Sequence, residues 1–310
     1  MMMPESVIRW LLQGDPAIRW QTLRDLTDAD PQRIELERNL VKSEGWGKRL
    51  LECQDSDGLW AGGLYTPKWK STTYTMLLLR DLGFPRGHAR IDQACKQLLD
   101  GGFNHDCGIN YSKNLNCSET CITGMVLSIL SYFHYKDDRL HLLTKHLLER
   151  QMPDGGWNCQ SVAGATHGSF HTTISVLEGL LEYQRLNPPH TDRVEESQSR
   201  AREFFRVHRH FRSHRTGLVV DDRMTRFSFP PRWHYDILRG LDYFQNSRAK
   251  PDSRDEEAVA LIRKKQTKDG VWQLQNRHPG KTFFEMEKPG EPSRWNTLRA
   301  LRVLRWFEAE

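Results

Sequence analysis

Side chains that bind metals occur where several apolar-periodic segments begin. Cys117 and Cys121 are four residues apart, which places them on one face if the segment is helical. His171 and His234 stand near the beginnings of two later segments. Two thiolates and two imidazoles are a ligand set that suits tetrahedral Zn²⁺. The sequence therefore predicts a zinc site, with zinc as the cofactor. The alternative is that these cysteines and histidines are buried residues with structural roles.

Ionisable residues at the same segment starts could perform acid–base chemistry. Glu119 lies between the two cysteines, and Asp236 follows His234 and Tyr235. Carboxyl, imidazole and phenol groups are the usual proton donors and acceptors of enzymes. We therefore predict Glu119, His234, Tyr235 and Asp236 as catalytic residues. Either carboxylate could instead support a bound metal.

Tryptophan and arginine side chains recur at comparable positions and are predicted to bind substrate. The predicted binding residues are Trp69, Trp233, Trp295, Arg232 and Arg294. Aromatic faces stabilise cations, and guanidinium groups bind anions. The alternative is that the tryptophans pack across joints between helices while the arginines pair with nearby glutamates.

Composition limits the class of protein. The chain has 310 residues, of which 37% are hydrophobic, and it carries a net charge of +5. No stretch approaches the roughly 18 apolar residues that cross a bilayer, and the beginning of the sequence does not resemble a signal peptide. We therefore expect a cytoplasmic protein with reduced cysteines and no integral membrane segment. Residues 200–215 are rich in arginine, but a solvated helix face is favoured over nucleic-acid binding.

One seven-residue pattern, Gln-x-x-Asp-Gly-x-Trp, occurs three times and organises the chain. The copies are QDSDGLW from 54, QMPDGGW from 151 and QTKDGVW from 266. Each follows a helix-like run and precedes another one, so the unit is a helix, a turn and a helix. Degenerate copies are expected midway, from about 98 and about 204. With an N-terminal pair, this predicts about six helical hairpins.

The repeated pattern resembles that of squalene-hopene and oxidosqualene cyclases and, more loosely, that of protein prenyltransferase β subunits. The resemblance covers nearly the whole chain and implies a single α/α-toroid domain over 1–310. It places functional residues where the inner helices begin, and prenyltransferases also hold zinc there. Phe170-His171-Thr172 looks like the zinc-binding segment of that family.

Two departures from the cyclases limit what the resemblance implies, and the Asp-x-Cys partner of the prenyltransferase zinc segment has no clear equivalent here. Class II terpene cyclases use an Asp-x-Asp-Asp motif, and the nearest string here, Val219-Val220-Asp221-Asp222, lacks the first aspartate. We expect that string to be a solvated turn. The chain also has residues for only one toroid, which implies a substrate smaller than a triterpene.

We expect an enzyme of the terpenoid-cyclase or prenyltransferase type that acts on a small, isoprenoid or anionic substrate. Two alternatives stay open: a non-catalytic toroid that binds a ligand or a protein, and a carbohydrate-active α/α barrel using Glu119, Tyr235 and Asp236. The sequence does not indicate the oligomeric state.

Overall fold

Helices account for most of the residues that the computed structural model describes, which are 4–186 and 192–308. In chain order the helices are α1 (Glu5–Leu11), α2 (Pro16–Leu26), α3 (Pro31–Asn39), α4 (Gly45–Glu52), α5 (Thr72–Leu82), α6 (Ala89–Gly102), α7 (Thr120–Tyr132), α8 (Arg139–Glu149), α9 (Phe170–Leu186), α10 (Asp192–Val207), α11 (Ile237–Asn246), α12 (Glu256–Lys264) and α13 (Arg294–Phe307). Two short strands, β1 (Trp272–Gln273) and β2 (Pro292–Ser293), pair antiparallel. The all-α prediction is confirmed.

Helices with one buried face alternate with helices that are buried on nearly every side. In α6 the buried residues, such as Ile91, Ala94 and Leu98, recur every three or four positions. In α7 every residue from Ile122 to Ser131 is buried. The same alternation distinguishes α8 from α9 and α12 from α13. Each predicted repeat therefore consists of an amphipathic outer helix, a turn and a buried inner helix.

Inner helices α7 and α9 pack closely because each has a glycine at the contact. A Cβ atom on Gly124 would lie 2.8 Å from the carbonyl oxygen of Ser175, and one on Gly179 would lie 2.5 Å from the oxygen of Gly124. Neither position has room for a side chain.

Although α7 is strongly apolar, it has only 13 residues. No helix within the described ranges is long and apolar enough to cross a membrane.

The three sequence repeats form turns that share the same hydrogen bonds. In each turn the glutamine side-chain amide donates to the carbonyl oxygen of the motif glycine, at 2.7 Å for Gln54, 2.8 Å for Gln151 and 3.1 Å for Gln266. The three glycines, Gly58, Gly155 and Gly270, have φ values of 88°, 88° and 81°. Glycine adopts this left-handed conformation without steric cost. The motif residues therefore have a structural role in these turns.

The motif tryptophans tie each turn to the inner helix that follows. Their backbone N–H groups donate to threonine hydroxyls in the first turns of α5, α9 and α13, in the pairs Trp60–Thr72, Trp157–Thr173 and Trp272–Thr297. All three tryptophans are fully buried. These contacts fix where each inner helix begins.

Residues 103–109 form a fourth turn of this type, although its sequence is degenerate. Cys107 takes the glycine position with a φ of 62°, and Ile109 takes the tryptophan position. The N–H of Ile109 donates to the hydroxyl of Thr123 on α7 at 2.9 Å. A turn followed by an inner helix thus lies in the segment predicted from 98, although its glycines, Gly101 and Gly102, end α6 and do not form the turn. The one predicted from 204 joins α10 and α11 through a long connection.

The chain divides into two compact units. Unit 1 contains residues 1–53, 81–85 and 206–310, and unit 2 contains residues 54–80 and 86–205. Within unit 1, α13 packs on α2, so helices from the two ends of the chain are in contact. The expected single domain over 1–310 stays a prediction.

Candidate functional site

The predicted site residues are distributed over both units. Unit 2 contains Trp69, Cys117, Glu119, Cys121 and His171, and unit 1 contains Arg232, Trp233, His234, Tyr235, Asp236, Arg294 and Trp295. Within unit 2, residues at the starts of three inner helices come together around Glu119.

Glu119 is half-buried at the start of the inner helix α7. It occupies the N-cap position, yet its side chain does not cap the helix. Burial raises the pKa of the Glu119 carboxyl, and the nearby Lys68 ammonium opposes this only in part. Within the described ranges, no group donates a hydrogen bond to this carboxyl. A desolvated carboxyl without a hydrogen-bond donor holds its proton to higher pH than an ordinary glutamate does.

An aromatic cluster of Tyr65, Trp69, Tyr74 and Tyr111 lies in the same unit. The Trp69 and Tyr74 rings meet edge to face with centroids 4.8 Å apart, and Tyr65 contacts Tyr74 at 5.3 Å and Tyr111 at 6.2 Å. A 2.9 Å hydrogen bond joins the hydroxyls of Tyr65 and Tyr74. Trp69 and Tyr74 are only 6% and 1% exposed. The cluster is a rigid wall of ring faces and edges.

Electrostatics links this aromatic cluster to Glu119 and to two thiols. Burial is the main reason that the pKa of Tyr65 is raised, and negative charge on Cys121, Glu119 and Cys159 raises it further. These groups therefore lie within electrostatic range of the Tyr65 hydroxyl. The Lys68 ammonium stands 5.7 Å from the Tyr65 ring centroid and 5.8 Å from the Trp69 ring centroid. Both rings thus present a face to a cation.

Cys121 pairs with Cys159. The backbone N–H of Cys121, in the first turn of α7, donates to the sulfur of Cys159 at 3.1 Å, and the Thr172 hydroxyl on α9 donates to it at 3.5 Å. The interaction between the two thiols lowers the pKa of Cys159 and raises that of Cys121. A sulfur at a helix N-terminus is a stabilised site for negative charge.

The expected pairing of Cys117 with Cys121 is wrong. Helix α7 begins at Thr120, so Cys117 precedes it and the four-residue spacing does not place both thiols on one helical face. In addition, no group of three or more His, Cys, Asp or Glu side chains in the described ranges could hold a metal ion. Cys117, Cys121, His171 and His234 therefore do not fit zinc in this geometry, and we derive no step through a metal.

His171 is the second residue of α9 and is half-buried. Its backbone carbonyl accepts a hydrogen bond from the Ser175 hydroxyl at 3.1 Å. Its position at an inner-helix start matches the sequence prediction, while its role in binding stays a prediction.

In unit 1 the predicted acid Asp236 has a structural position. It caps α11, where one carboxyl oxygen accepts the N–H of Arg239 at 2.9 Å and the other accepts the N–H of Ser228 at 3.1 Å. Burial raises the pKa of Asp236, which is 2% exposed. The neighbouring Tyr235 is equally buried and donates its hydroxyl to the carbonyl of His210 at 2.8 Å. Both side chains have contacts that explain them without a substrate.

His234 and Trp233 precede α11 and do not lie in its first turn, because the helix begins at Ile237. Their rings stack with centroids 3.7 Å apart, and His234 also stacks on His278 at 3.8 Å. The backbone carbonyls of Arg232 and His234 accept hydrogen bonds from the Arg239 guanidinium. This loop is therefore held by ring stacking and by one arginine.

Trp295 and Arg294 begin α13 and are also held within unit 1. The Trp295 ring stacks on Phe229 with centroids 4.3 Å apart. The backbone N–H of Trp295 donates to the Glu287 carboxylate at 3.1 Å. The Arg294 guanidinium lies over the Trp10 ring at 4.4 Å and donates to the Trp10 carbonyl. The packing alternative thus describes Trp295, while Arg294 contacts Trp10 and its charge also favours the ionised form of Glu287. Their roles in substrate binding stay predictions.

Tyr65 and Cys159 were not among the residues predicted from the sequence, and Glu287 was considered only as a carboxylate that an arginine could pair with. Tyr65 and Cys159 lie in the loops that follow motif turns, and no helical spacing connects them with Glu119 or Cys121. Glu287 is largely buried below the start of α13, and this burial raises its pKa although Ser293 and the backbone donate to it. The loop after each motif turn was the available signal, because it runs back to the start of an inner helix.

The fold and this site define an all-α protein of repeated helical hairpins with polar groups where its inner helices begin. No protein-family model matches the chain, and no curated protein matches it. Similar solved structures include the type II terpene cyclase MstE from Scytonema. A substituted variant in complex with merosterolic acid A, its product, shows 14% identity and a TM-score of 0.35, covering 83% of this chain and 93% of that chain.

A second substituted variant of MstE, in complex with its substrate geranylgeranyl dihydroxybenzoate, shows 13% identity and a TM-score of 0.34, with coverage of 83% and 93%. The apo form of the same enzyme gives 13% identity, a TM-score of 0.34 and coverage of 83% and 94%. A resemblance to terpenoid cyclases is thus also found among solved structures, at low identity and low TM-score. Nothing about the reaction of this chain follows from it.

Proposed function

We propose that the chain is an enzyme of the terpenoid-cyclase or prenyltransferase type and that Glu119 is its proton donor and acceptor. The observation that carries this proposal is the Glu119 carboxyl, which is half-buried, has no hydrogen-bond donor in the described ranges and lies near the aromatic cluster. Perturbed carboxyl groups of this kind are characteristic of general acids.

The reaction that fits these groups begins with proton transfer to a carbon–carbon double bond. Protonated Glu119 would give its proton to the alkene, and the electron pair of the double bond would form the new C–H bond. The resulting carbocation would be stabilised by the faces of Tyr65 and Trp69, which already accept the Lys68 ammonium. Return of a proton to the Glu119 carboxylate would release an isomer of the substrate.

The substrate class that fits is a short isoprenoid chain with an anionic end. The chain would lie against the aromatic cluster, and its anionic end would pair with Lys68. The positive ends of α5, α7 and α9 favour a negative group at the same place.

The experiment is a solvent-deuterium assay with linear isoprenoids of two to four isoprene units, supplied as alcohols, carboxylates and diphosphates. In D₂O, protonation by Glu119 incorporates one deuterium into a product isomeric with the substrate, which mass spectrometry detects. Glu119→Gln cannot donate a proton, and we expect it to lower the rate by at least about 100-fold. Glu149→Gln, at an exposed glutamate on α8, is the matched control and keeps the rate.

Two other outcomes would replace this proposal. Tight binding of these ligands without turnover, equal in the wild type and Glu119→Gln, would support a binding protein. Turnover that does not depend on Glu119 would require another proton donor, such as Asp236.

A further inference from the structure

The structure assigns Cys121 and Cys159 as an oxidisable dithiol, a modification site at which a peroxide converts two neighbouring thiols into one disulfide. This inference goes beyond the proposed function and does not depend on it. It rests on the geometry of the pair at the N-terminus of α7.

Two hydrogen bonds hold the sulfur of Cys159 beside the first turn of α7. The backbone N–H of Cys121 donates to it at 3.1 Å, and the Thr172 hydroxyl donates to it at 3.5 Å. The Thr172 hydroxyl also accepts the N–H of Cys159 at 3.4 Å. Cys159 is thus held at both its backbone and its sulfur, in direct contact with the backbone of Cys121.

Cys121 and Cys159 are each partly exposed as residues, although burial adds to the hydrogen-bond contribution of Cys159 in raising the pKa of Cys121. Thiol oxidation follows exposure and thiolate character, and a second thiol beside the first favours a disulfide over further oxidation. Cys107 and Cys117 are also partly exposed, but neither thiol has a hydrogen bond within the described ranges.

The chemistry balances with hydrogen peroxide as the oxidant. The Cys159 thiolate attacks one peroxide oxygen, so that an S–O bond forms, the O–O bond breaks, and the leaving hydroxide takes up a proton to become water. The Cys121 sulfur then attacks the Cys159 sulfur, so that the S–S bond forms and the S–O bond breaks. The thiol proton of Cys121 leaves with the second water. Two electrons pass from the sulfurs to the peroxide.

The experiment is differential alkylation of the full chain. The reduced, desalted protein is treated with one equivalent of hydrogen peroxide, blocked with iodoacetamide, reduced with dithiothreitol and labelled with N-ethylmaleimide. We expect peptide mass spectrometry to find maleimide at both Cys121 and Cys159 in equal amounts. Cys107 and Cys117 should react with iodoacetamide, the first label. If the oxidised protein is reduced with dithiothreitol before blocking, Cys121 and Cys159 should also carry iodoacetamide and no maleimide.

Two variants and one alternative product decide the result. Cys159→Ser should leave Cys121 with the first label, while Cys117→Ser, the matched control, should not change the pattern. Circular dichroism checks that Cys159→Ser is folded, and the wild-type map does not depend on that variant. The inference is overturned if Cys121 stays reduced in the wild type, or if Cys159 proceeds to sulfinic acid beside a free Cys121.

Discussion

Glu119 differs from Asp106 and Asp236 in having no hydrogen-bond donor in the described part of the chain. Asp236 accepts two backbone N–H groups, and Asp106 accepts hydrogen bonds from Ser118 that bring its pKa to about 2 despite burial. These contacts favour the ionised form and fix a turn or a helix end. Glu119 has burial without such compensation. It is therefore the carboxyl best placed to release and recover a proton.

The charge on Lys68 should control the protonation of Glu119. Burial raises the pKa of Glu119 above the 4.5 of an ordinary glutamate, and Lys68 lowers it again in part. Lys68→Gln removes a positive charge that favours the carboxylate, so the pKa should rise further. NMR titration of the side-chain carboxyl measures this shift. Lys113→Gln, at an exposed lysine, should leave the pKa unchanged.

The same shift should appear in the pH dependence of activity. An acid catalyst must be protonated, so the rate should fall as pH rises through the Glu119 pKa. In Lys68→Gln this falling limb should move to higher pH. A limb that stays in place would show that a different group donates the proton.

At the scale of elements, each turn depends on one threonine. Thr173→Val keeps the side-chain shape but removes the hydroxyl that accepts the buried backbone N–H of Trp157. An unsatisfied buried donor costs about 1–3 kcal/mol, so the free energy of unfolding should fall by that amount. Urea denaturation measures it, with the exposed Thr166→Val as the matched control. Equal stability of the two variants would contradict this role.

Substitution of two glycines distinguishes the stability cost of backbone strain from the cost of close packing. Gly155 and Gly164 have φ values of 88° and 93°, so alanine is strained at both positions, by about 1–2 kcal/mol. A Cβ on Gly155 would also lie 2.4 Å from the carbonyl oxygen of Arg200, whereas one on Gly164 would have no atom within 4 Å. Gly155→Ala should therefore lower the melting temperature clearly more than Gly164→Ala. Similar losses would mean that Arg200 can move away.

Local chemistry explains which elements the sequence predicts. The motif turns follow from glutamine, glycine and tryptophan within seven residues, so their form can be inferred from a short segment. The Cys121–Cys159 contact joins residues 38 apart and depends on how α7 packs beside α9. The spacing of residues along the sequence does not predict how these two helices pack. The expected helical face shared by Cys117 and Cys121 was wrong for a related reason, because α7 begins only at Thr120.

At the scale of the whole molecule, a buried ion-pair network joins the two ends of the chain inside unit 1. Arg302 on α13 pairs with Asp242 on α11 and with Asp25 on α2, and these side chains are 11–15% exposed. Burial opposes ionisation of Asp25, but Arg24 and Arg302 outweigh it and lower the pKa of Asp25. The network holds α13 against α2 and α11.

Removing this arginine should weaken the junction between the chain ends. Arg302→Met leaves two largely buried carboxylates without their shared partner, and we expect a loss of about 3 kcal/mol in unfolding free energy near neutral pH. Arg305→Met, at an exposed neighbour, should cost much less. Because the Asp25 pKa is lowered, its stabilisation is present above the unfolded-state pKa and is lost as pH falls through the folded-state pKa. The difference between wild type and Arg302→Met should therefore shrink in acid.

The hydrogen bonds between turns and inner helices also bear on the order of folding. They join residues 12, 14 and 16 apart in the first three turns but 25 apart in the last, where β1 and β2 enclose a longer loop. Closing a loop of twice the length costs about 0.6 kcal/mol more in chain entropy. We therefore expect the first three turns to form early and independently, while the Trp272–Thr297 closure completes the C-terminal hairpin late.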